Sequence, residues 1–223
     1  MSVYMKTLLT LTLSFLSLGL SAQTASRMQD LTAEQKADAK DIKLTGTLST
    51  KGNSDFRQLR DLCWQLQKVD LGMADCPAVP NNAFHSRRKL QTVVLPENVQ
   101  TIGTHAFFAC RGLRYITLPK SLKRVGDAAF SSCDSLEEIV IEGNPVLGDF
   151  AFARLPRLKT VRVLSPVPPA AGSFAFYGLD RKKVKLIVPK GSEVKYRKAE
   201  GWKDFYSNCL LYTSPSPRDG ATS

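Results

Sequence analysis

Apolar and polar positions from about residue 83 to 188 repeat with a period in the low twenties. The pair Ala-Phe stands at Ala83-Phe84, Ala106-Phe107, Ala129-Phe130, Ala151-Phe152 and Ala175-Phe176, so the phenylalanines step by 23, 23, 22 and 24 residues. Leu90, Leu113, Leu136 and Leu158 each follow their Phe by six residues. Val93, Ile116, Ile139 and Val161 follow by nine, and Leu95, Leu118, Ile141 and Val163 by eleven. One unit of that length cannot bury its apolar side alone, so the period predicts coils stacked into a solenoid.

Each unit predicts the same local elements. In the unit from Phe107 to Ala128, residues 106–110 read as a compact helical or turn-like segment with Phe107 and Cys110 inward. Arg111-Gly112 turns the chain. Leu113 to Leu118 reads as a strand with Leu113, Ile116 and Leu118 inward. Pro119 ends it, because proline cannot donate to a ladder. Leu122 and Val125 return the chain on an opposite wall, and Gly126 gives the freedom for the next corner. Strands of successive units are expected to lie parallel, about 4.8 Å apart.

The flanks break the rhythm. Residues 1–22 read as a secretory signal, with Lys6 before an apolar run from Leu8 to Leu20 and small residues at Ser21-Ala22. That run is short of the roughly 20 residues a membrane span needs, so no spanning segment is expected in the mature chain. Residues 23–41 read as a mobile leader, with Thr32-Ala33-Glu34-Gln35 as a capping box for a short helix. Residues 42–82 read as an N-terminal cap. Ile42 to Leu48 alternates like a strand, Ser54 caps a helix with Phe56, Leu59, Leu62, Cys63 and Leu66 on one side, and Val69-Asp70-Leu71 gives a further strand. The regular array and its terminal coil occupy 83–208. There Ser165 to Pro169 replaces a return strand with a stiff extended segment, Val184, Leu186 and Val188 mark another strand, and Tyr196, Trp202 and Phe205 cover the last coil. Residues 209–223 read as an adapter-derived tail outside the fold.

Composition narrows the picture further. The hydrophobic fraction is 43%, enough for a core, and the charged fraction of 23% argues against disorder. Setting Cys209 aside with the tail leaves Cys63, Cys76, Cys110 and Cys133. Cys110 and Cys133 hold equivalent places in adjacent units, about 5 Å apart, and so point in parallel. They read as buried free thiols, while a Cys63–Cys76 bond stays open.

These units resemble the BspA-type leucine-rich repeats of secreted and surface proteins, mainly bacterial. The pattern Ala-Phe-x-x-Cys-x-x-Leu-x-x-Ile-x-Leu-Pro-x-Ser-Val-x-x-Ile-Gly is approximated from Ala106 through Gly126 and again from Ala129 through Ile141. Val188-Pro189-Lys190-Gly191, then Tyr196 and Gly201-Trp202-Lys203-Asp204-Phe205, looks like the terminal coil of Bacteroidetes members. Leu155 stands where the Phe152 unit would carry its Cys. The expected fold is a β-rich α/β solenoid, a right-handed leucine-rich repeat stack with one parallel strand per repeat of about 23 residues. The resemblance implies adhesion to host proteins, other bacteria or surfaces, and no particular ligand.

The residues predict no chemistry of turnover. His85 and His105 sit at different repeat phases and read as polar turn residues. Glu137 and Glu138 are strand neighbours and point apart, whereas a catalytic carboxylate pair must converge. No phosphate loop and no zinc or calcium motif is present, so neither an enzyme nor a cofactor is expected. The candidate site is the outward row of the sheet, formed by Val94, Tyr115, Thr117, Glu138, Val140, Thr160, Arg162, Lys185 and Ile187, with Thr92 beside Val94. Within it Val94, Thr117, Val140, Arg162 and Ile187 are expected to form one column. The net charge of +11 gathers in the later coils at Arg154, Arg157, Lys159, Arg162 and Arg181-Lys182-Lys183. That balance fits host or bacterial surface proteins or acidic glycans as partners. Nucleic acid lacks a motif and conflicts with export. The alternative is a structural spacer or presentation element of a larger envelope protein.

Overall fold

The computed structural model describes residues 22–51, 54–172 and 174–212. The signal-like run up to Ser21 lies outside them. Strands β1 (Ala22–Ala25), β2 (Asp41–Leu44), β3 (Lys68–Asp70) and β5 (Thr92–Val94) form one parallel sheet. Strands β7 (Tyr115–Leu118), β9 (Glu138–Ile141), β11 (Thr160–Val163), β12 (Lys185–Pro189) and β13 (Cys209–Tyr212) form the next. The Arg114 N–H donates to the Gln91 carbonyl (3.3 Å), which carries the winding across the break between β5 and β7. The opposite wall is a narrow parallel sheet of two-residue strands: β4 (Ala78–Val79), β6 (Thr101–Ile102), β8 (Arg124–Val125) and β10 (Val146–Leu147). The chain is therefore a β-rich solenoid in which each winding adds one strand to the broad face.

The repeated apolar positions face the interior between the walls. Phe84, Phe107, Phe130, Phe152 and Phe176 are all buried. Their rings stack at centroid distances of 5.1, 5.0, 5.3 and 5.7 Å, with interplanar angles of 16° or less. Phe56 closes the first end of this column edge-on at 6.0 Å. Trp202 and Phe205 close the other, each 5.1 Å from Phe176. Closure at both ends matters, because an open stack would leave its last ring in water.

The Ala-Phe segments are turns rather than helices. Asn82, His105, Ala128 and Phe150 before them, and Ser86, Ala109, Ser132 and Arg154 after them, hold φ between 50° and 61°. Gly178 takes the second place in the fifth unit, at φ 75°. These left-handed residues reverse the chain twice within five residues. Their N–H groups reach the neighbouring winding, as in Ala109 to Ser131 O (2.9 Å) and Ser132 to Ala153 O (3.0 Å). Gly126 plays a different part from the one expected. Its φ is ordinary, and glycine is needed because a Cβ there would lie 2.5 Å from the Thr104 nitrogen and 2.6 Å from the Gly103 carbonyl carbon.

Three terminal expectations change. The segment expected as a mobile leader is an ordered winding: β1 pairs with β2, a short helix α1 (Ala33–Asp38) follows, and Met28, Leu31 and Ala39 are buried. Its capping box forms as expected, with Gln35 N–H to Thr32 Oγ1 at 3.1 Å and Thr32 N–H to Gln35 Oε1 at 2.8 Å. Leu62, expected inward, ends helix α2 (Asp55–Leu62) 45% exposed, because Leu59 and Cys63 already fill the buried side. Cys209–Tyr212, expected outside the fold, pairs with β12 as β13.

Asp55 holds the first winding in place. Its buried carboxylate accepts the Met28 N–H (2.7 Å) and the Ser49 N–H (2.8 Å), and Arg27 Nε lies 3.5 Å away. Asp55→Ala would strip the buried Met28 amide and the half-buried Ser49 amide of their acceptor. A loss of about 2–4 kcal/mol is expected. Hydrogen exchange should show it as lost protection at Met28 and Ser49, with Ile116 and Ile139 keeping theirs.

The cysteines are free and buried. Cys110 Sγ donates to the Phe84 carbonyl (3.0 Å) and Cys133 Sγ to the Phe107 carbonyl (3.2 Å), so each thiol ties its turn to the preceding winding. Burial pushes the Cys63 and Cys76 thiols up to about 11, Cys110 to about 12, and Cys133 well upward. Thiolate is the reactive form. Iodoacetamide at pH 8 should therefore label these four at least about 100-fold more slowly in native protein than in denaturant. The unfolded chain gives up thiol protons near pH 8.5 while the fold keeps them. Their contribution is complete below that pH and is lost as pH rises through about 11 to 12.

Candidate functional site

The outward positions of the broad face alternate with the buried ones, as strand geometry requires. Thr117, Val140, Arg162 and Ile187 form one column through the pairings Thr117–Val140, Val140–Arg162 and Arg162–Ile187. Tyr115, Glu138, Thr160 and Lys185 form the column beside it. Val94, expected to join the first column, pairs with Asp70 on its other side, and Asp70 pairs with Lys43. The strand ladder breaks between β5 and β7, where the Arg114 N–H to Gln91 carbonyl bond carries the winding on. Tyr115 stands out at 53% exposed, with the Arg114 guanidinium 5.7 Å from its ring centroid. Val140 and Ile187 are half-buried. Toward β1 the same face holds a depression of about 190 Å³ lined by residues that include Thr24, Lys43, Lys68 and Asp70.

Much of the positive charge is compensated locally. Glu137 bridges two windings, accepting from Lys159 Nζ (2.7 Å) and from Arg114 (3.3 Å). The hydrogen bond from Lys159, and then that from Arg114, holds its carboxyl below the usual range. Arg162 Nε lies 3.6 Å from Glu138, so the one arginine of the face is met by the one glutamate. Arg111 meets Asp134 (3.3 Å), Lys183 meets Asp180 (3.0 Å) and Arg181 meets Asp204. Arg154 and Arg157 are exposed and make no ion pair among the described residues. Arg154 and Arg157 thus place uncompensated charge on the edge formed by the Ala-Phe turns and the corners after them, beside the sheet face, where Lys185 also makes no ion pair among the described residues.

That edge carries aromatic groups that sequence reasoning missed. Phe150 and Phe174 stack at 5.4 Å and 9°, with Tyr177 edge-on to both at 5.7 and 6.4 Å. Two windings away, His85 stacks on Phe108 (5.2 Å), and His105 meets Phe108 edge-on (5.3 Å). Between the two clusters, the equivalent positions hold only Ala128, Ser131 and Ala153. The signal was present in the repeat phase: these side chains stand two before or one after the buried Phe or its equivalent. Among the described residues, no group of three or more His, Cys, Asp or Glu could hold a metal, and no helix is long and apolar enough to cross a membrane.

One parallel strand per winding, interior Phe, Leu and Ile columns, and a free outward face define a leucine-rich repeat solenoid. The model of the BspA type leucine rich repeat region matches residues 77–190 in six copies, and the chain belongs to that family. Among solved structures, it is similar to the T. pallidum Leucine Rich Repeat protein (TpLRR), at 26% identity and TM-score 0.41, over 65% of this chain and 59% of that one. It is also similar to the Pneumococcal vaccine antigen PcpA, at 12% identity and TM-score 0.38, over 80% of this chain and 61% of that one. A leucine rich cell surface protein from Faecalibacterium prausnitzii A2-165 matches at 13% identity and TM-score 0.29, over 86% of this chain and 70% of that one. The match thus spans about three fifths of the first two proteins' length. No curated protein matches the chain.

Proposed function

We propose that this chain is a non-enzymatic binding module, exported and displayed at or beyond the cell surface, that holds protein or acidic-glycan partners on its sheet face and basic flank. The observation that carries this reading is the outward double column from Tyr115 and Thr117 to Lys185 and Ile187. There a half-exposed tyrosine and half-buried aliphatic groups stand open between compensated ion pairs. A flat array in fixed register suits multipoint contact, and nothing in it converges on a reacting atom as turnover requires. Family membership supports a repeat scaffold, and one structural neighbour carries the words "cell surface protein" in its description.

The test is binding of the full chain to immobilised host matrix proteins and acidic glycans at low and physiological salt. Saturable binding to a matrix protein, weakened at least 10-fold by Tyr115→Ala or Val140→Asp, is the result expected of the sheet face. Binding indifferent to both substitutions would remove the sheet face from the reading, and no saturable binding to any of these would remove the function.

A further inference from the structure

We infer that the edge formed by the Ala-Phe turns of the last two regular windings carries a separate site for an anionic sugar unit, with Phe150, Phe174 and Tyr177 as the stacking platform and Arg154 as the anion partner. This site rests on the basic-flank part of the proposed function, for which it names the residues and the ligand, and it is separate from the sheet face.

The three rings are 39%, 51% and 48% exposed in a fold that buries all five phenylalanines of its stacked column. Phe150 is also held in the left-handed region, at φ 57°. A bulky side chain there costs roughly 1–2 kcal/mol, whereas the equivalent places take Asn82, His105 and Ala128. The turn imposes this conformation on the equivalent residues of the other windings as well, and at Phe150 the residue that takes it sets a phenyl ring on the surface. Phe150 and Phe174 stack with their planes 9° apart, and Tyr177 packs in T-shaped geometry with both, so the three form one exposed aromatic cluster.

The charge beside this platform selects the occupant. Arg154 donates its backbone N–H to the Tyr177 carbonyl (2.9 Å). Its Cγ lies 3.5 Å from where a Cβ on Gly178 would stand, so its stem runs beside the platform. The guanidinium is exposed and makes no ion pair among the described residues. Beyond Tyr177 opens a depression of about 630 Å³ whose lining includes Gly178, Leu179 and Lys182. Its acidic members Asp180 and Asp204 are already met by Lys183 and Arg181, so the excess charge there is positive.

Size argues against a broad protein interface. Aromatic side chains of about 150–250 Å² each, at about half exposure, offer roughly 200–350 Å² together, against about 800 Å² per partner in a stable protein complex. That area fits one or two sugar rings. A pyranose lays its apolar C–H face on an aromatic plane, and its carboxylate or sulfate accepts the two parallel N–H bonds of a guanidinium. A neutral sugar would leave Arg154 unused, and a free phosphate would leave the rings unused.

Calorimetric titration of the full chain with polygalacturonate, heparin and neutral dextran tests the site. Binding of at least one of the two anionic polymers, with dextran inert, is the expected result; which polymer binds identifies carboxylate or sulfate as the anion. Tyr177→Ser and Phe174→Ala should each weaken that binding at least 10-fold. Both positions are exposed, and an unchanged melting temperature checks that each variant folds. Arg154→Gln should weaken it at least 5-fold at low salt and flatten its salt dependence. Lys120→Gln, an exposed lysine outside both the platform and the sheet columns, should leave it unchanged. Equal binding of dextran, no binding of either polyanion, or binding lost in Tyr115→Ala but kept in Tyr177→Ser and Phe174→Ala would each overturn the inference. The last of these outcomes would leave the sheet-face reading standing.

Discussion

Phe130→Ala should destabilise the chain by about 3–5 kcal/mol, the largest effect of any single truncation in the regular windings. Phe130 lies in the middle of the ring column, 5.0 Å and 5° from Phe107 and 5.3 Å and 8° from Phe152. Deleting the ring opens a cavity between two rigid neighbours and removes two stacking contacts. The windings cannot close the gap, because their spacing is fixed by backbone bonds such as Phe107 N–H to Ala129 O and Phe130 N–H to Ala151 O (both 2.8 Å). A repeat array is stabilised by nearest-neighbour interfaces, so a weak middle interface should also divide its unfolding. Urea denaturation followed by Trp202 fluorescence in a Trp64→Phe background, which reports the C-terminal end, should part from denaturation followed by backbone circular dichroism. A loss below about 1.5 kcal/mol with coincident transitions would mean that the ring is not sandwiched as described.

Gly126→Ala should cost about 3 kcal/mol although it adds only a methyl group. The new Cβ would stand 2.5 Å from the Thr104 nitrogen and 2.6 Å from the Gly103 carbonyl carbon, both backbone atoms of the preceding winding. No rotamer change relieves a backbone clash, so the two windings must part and lengthen Gly126 N–H to Ile102 O, now 2.7 Å. Gly191→Ala is the control. That glycine has φ 84° and no neighbour within 4 Å of an added Cβ, so only torsional strain of about 1–2 kcal/mol is expected there. Comparable losses at the two sites, in urea melts of both variants, would show that conformational freedom rather than close approach explains Gly126.

The regular windings were legible because a burial rule repeated in sequence leaves a period. Phe, Leu and Ile columns fill one interior, and every member shows the same spacing. The terminal cover was legible for a related reason. Tyr196 and Trp202 each add a polar bond to a buried face, Tyr196 Oη to Ser165 O (2.8 Å) and Trp202 Nε1 to Pro169 O (2.7 Å), which anchors the proline-rich segment. The first winding was illegible because a carboxylate 27 residues away in the chain organises it. β1 reads Ala-Gln-Thr-Ala, with no apolar alternation, and Met28 is fixed through Asp55. Its order comes from buried polar bonds, which leave no period.

The candidate face was legible in its membership and less so in its charge. Alternation placed Tyr115, Thr117, Glu138, Val140, Thr160, Arg162, Lys185 and Ile187 outward, and the strand pairings align them. Charge counting along the chain could not show that Arg162 meets Glu138, or that Glu137 ties Arg114 to Lys159, because those partners lie in neighbouring windings. The left-handed turns hid for another reason. Eight of their residues are not glycine, and the bonds between windings rather than intrinsic preference hold them there.

The account depends on neighbouring windings lying parallel with like residues in register. An NOE map of the isotope-labelled chain tests this most directly. It should link the Phe107, Phe130 and Phe152 rings in order, and align Ile116 with Ile139 and Ile139 with Val161 in the parallel pattern. Strong Hα–Hα contacts between β7 and β9, the mark of antiparallel pairing, or rings without mutual contacts, would contradict it.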